Sequence, residues 1–112
     1  MKTKIIASIL LSLTLATLSF ELIAAVLIKG GASCGKWIKD RKENSFPSTG
    51  NKYWLLGYLS GLAAKSDINI LDGIDNKSIF LWTDNYCNTH PLKYLDDTGL
   101  SLFYELKKGK DL

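Results

Sequence analysis

Two cysteines, Cys34 and Cys87, and a single histidine, His90, are the residues with the greatest capacity for nucleophilic, metal-binding or acid–base chemistry. Cys87 and His90 are spaced loosely enough for a thiol–imidazole pair, but that chemistry needs a free thiolate. Two cysteines and one histidine without a C-x-x-C are a poor ligand set for zinc, so no metal is expected. Asp84, Asp96 and Asp97 could supply the paired carboxylates of a glycoside hydrolase. They fall near expected helix ends, where solvation and capping explain acidic residues equally well. Ser60 sits in Leu59-Ser60-Gly61, which is not a nucleophile elbow, and no strand precedes it. No phosphate-binding loop, dinucleotide fingerprint or zinc motif occurs. The residue set therefore points to a non-enzymatic protein, with no cofactor.

The elements that would position these residues begin with an export segment. Lys2 and Lys4 form a positive n-region, and Ile5 to Leu18 is apolar apart from Ser and Thr. This reads as a bacterial Sec-type signal peptide over residues 1–19, cleaved after Thr17-Leu18-Ser19. Later sites, as far as Ala32, also carry small residues. Ile5 to Phe20 is 16 residues long, shorter than the roughly 20 that span a bilayer, so an uncleaved anchor is the less favoured reading. Export places the chain in the periplasm or outside the cell. There two cysteines tend to pair. A Cys34–Cys87 disulfide would close a loop worth about 4 kcal/mol in the chain-entropy model.

Residues 20–112 read as one helical domain, because 112 residues in all leave no room for two cores. Phe20 to Ile28 suits a short strand or the end of the signal helix. Ser33 caps a first helix, with Cys34, Trp37, Ile38 and Arg41 at helical spacing. Lys42 to Asn51 contains Pro47, Ser48, Thr49 and Gly50 and reads as a loop. Tyr53 to Lys65 is the second helix, apolar most of the way round and so expected to be buried on several sides and central. Gly57 and Gly61 would let another backbone approach it. Asp72-Gly73 marks a turn. Asp75 caps a third helix running to about Asn88, and His90 sits in the cap between helices. Pro91 starts the fourth, with Leu92, Leu95, Gly99, Leu102, Phe103 and Leu106 as its apolar stripe. Asp96 and Asp97 at its start and Lys107, Lys108 and Lys110 at its end complement the helix dipole. The expected fold is all-α: a small four-helix bundle with one disulfide, tied from first helix to third and closed by the fourth.

The formal charge is +3. Without Lys2 and Lys4 the 14 basic residues fall to 12 against 11 acidic ones, a net charge of +1. That leaves no basic patch for a phosphate backbone, and no nucleic-acid partner is expected. The many Trp and Tyr residues fill a small core or form a protein-binding patch. The best candidate patch runs from Lys36 to Lys52 and offers Lys36, Trp37, Arg41 and Phe46 to an acidic partner or to anionic envelope components.

Four local strings carry a resemblance. They are Ser33-Cys34-Gly35-Lys36-Trp37, Trp54 to Gly61 (WLLGYLSG), Trp82 to Cys87 (WTDNYC) and Pro91-Leu92. Together they are similar to small exported proteobacterial proteins, and the pattern resembles the Rap/Tai family of type VI secretion immunity proteins. That resemblance implies a periplasmic, helical, disulfide-bonded protein that blocks a peptidoglycan-degrading amidase effector, with Cys34 and Cys87 as the bridge. It carries no partner-contacting residue onto this sequence. Size, export signal and single disulfide also resemble, more weakly, the HdeA-type acid-stress chaperones. The expected partner is thus another protein, a second copy of the chain being a further candidate, with no stable membrane insertion after cleavage.

Overall fold

The structure, a computed structural model, describes residues 26–110. The signal peptide, its cleavage region before Val26 and the question of an N-terminal anchor lie outside the described residues. Four α-helices follow one another: α1 (Cys34–Glu43), α2 (Phe46–Ser66), α3 (Asn76–Thr89) and α4 (Leu95–Gly109). Among the described residues no helix is long and apolar enough to cross a membrane. Val26 to Lys29 is irregular, neither strand nor helix.

The caps anticipated from sequence set the starts of α1 and α3. Ser33 Oγ accepts from the Lys36 amide at 3.1 Å, and Asp75 Oδ1 accepts from the Ser78 amide at 2.7 Å. Each satisfies an amide that has no partner inside the helix. Both α1 and α2 end on a left-handed residue, Asn44 and Asp67, whose amides return to carbonyls of the last turn. The Asp72-Gly73 turn is present, with Gly73 at φ +76°.

Two boundaries differ from expectation. The loop expected over Lys42 to Asn51 shrinks to Asn44 and Ser45, and α2 begins seven residues before Tyr53. Pro47 sits in its first turn, where a missing amide costs nothing. Ser48 is buried and Asn51 Nδ2 donates to Asp40 of α1 at 2.8 Å, so packing outweighs the weak helix propensity of this stretch. In contrast, α4 starts at Leu95 and not at Pro91. Pro91 and Leu92 form a turn, and Leu92 is 91% exposed instead of contributing to the core stripe. The reason is a long-range clip: the Leu95 amide donates to Ala32 O at 2.9 Å, and the Cys34 amide donates to Lys93 O at 2.8 Å. The N-termini of α1 and α4 thus satisfy each other's free donors through an isolated Ser33–Tyr94 bridge.

The principal contacts run α1–α2, α1–α3, α2–α4 and α3–α4, and the α2–α4 pair makes the most extensive of them. The core holds Trp37, Leu55, Leu59, Ile70, Ile79, Leu95, Leu102 and Phe103 around the buried Cys34–Cys87 disulfide. That bridge joins α1 to α3 with a Cα–Cα distance of 4.8 Å. Thr98 Oγ1 of α4 lies 3.6 Å from Cys34 Sγ and 3.8 Å from Cys87 Sγ, so three helices meet at the bridge.

The glycines of α2 do not act as expected. A Cβ on Gly57 or Gly61 would meet no atom within 4 Å, and both face outward. The close approach lies on α4: a Cβ on Gly99 would sit 2.6 Å from Tyr58 Cδ1. Gly30 and Gly31 are likewise pressed against the Trp54 indole, whose Nε1 donates to Lys29 O at 3.1 Å.

Candidate functional site

The disulfide sets the register in which α1 and α3 run antiparallel. One turn from Cys34 along α1 is Trp37, and one turn back from Cys87 along α3 is Asp84. The two meet: Trp37 Nε1 donates to Asp84 Oδ1 at 2.7 Å. One further turn brings Arg41, whose Nε and Nη2 donate to Asp84 Oδ1 and Oδ2 at 3.0 and 2.7 Å. Phe80, one turn beyond Asp84, packs 6.1 Å from the Trp37 ring and 6.0 Å from the Arg41 guanidinium carbon. The Asp84 hydrogen bond holds the Arg41 pKa above its ordinary value, against the opposing effect of burial. Asp84 is thus a structural acceptor that joins α1 to α3.

A second carboxylate, Asp40, is 3% exposed. It accepts from Lys36 Nζ at 2.8 Å and from Asn51 Nδ2 at 2.8 Å. The Lys36 hydrogen bond is the main cause that keeps its carboxyl below the ordinary range; burial works the other way. Burial pushes the Tyr58 phenol up, and Asp96 and Asp97 add to the shift. These two aspartates lie in the first turn of α4, and Asp97 Oδ2 accepts from the Tyr94 amide at 3.2 Å.

His90 ends α3, as expected from its place between helices. Its Nδ1 lies 2.9 Å from Tyr86 O and its ring stacks on Tyr86 at 4.1 Å, with Trp82 next in the stack. The disulfide removes the thiol that a Cys87–His90 pair would need. Ser60 Oγ donates to Leu56 O within its own helix.

The four candidate partner-binding residues separate. Trp37 is fully buried and leaves the surface. Lys36 is exposed but paired with Asp40, and Arg41 is partly exposed while held by Asp84. Phe46 is 90% exposed at the start of α2. Lys77, Phe80 and Leu81, which lie outside the expected Lys36-to-Lys52 patch, complete the surface. Arg41, Lys52, Lys77, Phe80 and Leu81 line a groove of about 450 Å³ where α1, α2 and α3 converge. Lys52 Nζ stands 5.5 Å from the Phe80 ring. The disulfide register was the available signal: it places Phe80 beside Arg41, two turns from the bridge. Lys52 and Lys77 could not be found that way, because only the packing of α2 and the start of α3 brings them in. No family model, curated protein or solved structure matches this chain.

Proposed function

We propose that this is a non-enzymatic exported protein that binds another protein, acting in the periplasm as an immunity or inhibitor protein against a cell-envelope hydrolase. The observation that carries the reading is a disulfide-clamped bundle with large side chains left at its surface: Phe46, Tyr53, Leu81 and Leu92 are all exposed. A few large side chains, aromatic ones above all, supply most of the energy in protein interfaces. The groups with reactive potential are otherwise engaged: both cysteines in the bridge, Asp84 by Trp37 and Arg41, His90 at a helix end. Similarity of the four local strings to the Rap/Tai pattern supports the same reading and suggests a peptidoglycan amidase as the target. Inhibition would then be steric, with the bundle covering the hydrolase's substrate cleft.

The test is direct. Oxidised chain is mixed in equal amounts with individual peptidoglycan amidases at pH 7, and complex formation and peptidoglycan release are followed together. One amidase should form a stoichiometric complex and lose its activity. A chain that binds no hydrolase at pH 7, and instead binds unrelated unfolded proteins and an apolar dye only near pH 2–3, would be an acid-stress chaperone and overturn the reading.

A further inference from the structure

The groove at the junction of α1, α2 and α3 combines an apolar floor with a one-sided charge. Phe80 and Leu81 form the floor, and Leu81 is 60% exposed. Arg41, Lys52 and Lys77 stand around it, and no carboxylate is among its lining residues. Asp84, bound to Arg41, already accepts from Trp37 Nε1 and from Nε and Nη2 of Arg41. Among the described residues neither Lys52 nor Lys77 reaches a carboxylate within ion-pair distance. Asp75, close to Lys77, is occupied in capping α3. Lys77 also sits in the first turn of α3, where the helix dipole disfavours a cation. Within the fold, Lys77 gains only its attraction to the Asp75 carboxylate and Lys52 only its place over the Phe80 ring. Arg41 uses two of its five N–H groups on Asp84 and keeps three for another acceptor.

We propose that this groove takes an acidic segment of the partner protein, which seats one apolar side chain against Phe80 and Leu81 and places carboxylates on Lys52, Lys77 and the free N–H groups of Arg41. The proposal rests on the protein-binding reading above and adds the chemistry of the partner. A concave groove of this size holds one or two side chains; a lipid surface would meet a broad basic face without a recessed apolar floor.

The probe is a blocked synthetic peptide in which Asp and Glu flank a single Leu, titrated into the ¹⁵N-labelled oxidised chain. Its control replaces Asp and Glu by Asn and Gln. Chemical-shift changes should centre on Lys52, Lys77, Phe80 and Leu81, and the control should not bind. Affinity should fall as salt rises from ~50 to ~300 mM. The double variant Lys52→Gln/Lys77→Gln should bind about tenfold more weakly. Lys77→Glu should abolish binding without lowering the Tm, since an acid suits that helix end. Shifts centred elsewhere, undiminished binding by the double variant, or binding to phosphatidylglycerol vesicles with none to the peptide would each overturn the proposal. If an amidase complex forms and ignores Lys52→Gln/Lys77→Gln, the groove proposal fails and the inhibitor reading stands. If the peptide binds as described but no hydrolase does, the groove stands and the inhibitor reading fails.

Discussion

Replacing Gly57 and Gly61 by Ala should stabilise the protein, and replacing Gly99 by Ala should destabilise it. All three lie inside helices, where Ala is favoured over Gly by about 1 kcal/mol. At Gly57 and Gly61 the new methyl meets nothing within 4 Å, so the propensity gain is unopposed and the pair should add about 2 kcal/mol. For a domain of this size each kcal/mol moves the Tm by roughly 4–8 °C. At Gly99 the same gain is opposed. The methyl would lie 2.6 Å from Tyr58 Cδ1 and 3.5 Å from Leu55 Cδ1. The Tyr58 ring is stacked on Trp54 at 5.2 Å and cannot withdraw without disturbing that contact. Overpacking of this kind costs about 1–3 kcal/mol, so the net change should be a loss of up to about 2 kcal/mol. The assay is urea unfolding of the oxidised protein, comparing midpoints at constant m. A lowered midpoint for Gly57→Ala/Gly61→Ala, or a raised one for Gly99→Ala, would refute the assignment of the α2–α4 contact to Gly99 and Tyr58.

Cys34→Ser should lower stability by about 4 kcal/mol, seen as a fall in Tm that a reducing agent reproduces in the parent protein and not in the variant. Trp37→Ala should cost about 3–5 kcal/mol, because it empties a fully buried site and leaves Asp84 without one donor; Phe46→Ala should change the urea midpoint by less than about 0.5 kcal/mol and affect only partner binding. The carboxyls of Asp40 and Asp75 are held below their ordinary value of 3.8, the first mainly by Lys36 and the second mainly by the Ser78 amide. A lowered folded pKa gives stability that is fully present above the unfolded value and is lost as pH falls through the folded one. The urea midpoint should therefore hold down to about pH 5, then drop below about pH 4, and Asp40→Asn and Asp75→Asn should each flatten that drop.

What could be read from the sequence was local or had one solution. Ser33 and Asp75 cap helices because a short polar side chain beside a helix start satisfies a neighbouring amide whatever packs around it. Only two cysteines exist, so their pairing had one answer. The helical spacing of Leu55 and Leu59, and of Leu95, Leu102 and Phe103, marks the faces that the core covers. The start of α2 was hidden because Pro47, Ser48, Thr49 and Gly50 favour turns locally, while burial of Ser48 and the Asn51–Asp40 hydrogen bond win at long range. The start of α4 departs from the local pattern for the opposite reason: Pro91 is a sound first helical residue, but the Leu95 amide finds its acceptor at Ala32, over sixty residues away. The candidate patch divided in the same way. Helical spacing puts Trp37 and Arg41 on one face of α1, yet whether that face meets solvent or α3 is decided by the disulfide's register. The groove joins residues of three helices that no spacing rule connects, because a surface is set by which helices pack together and not by the order of residues along any one of them.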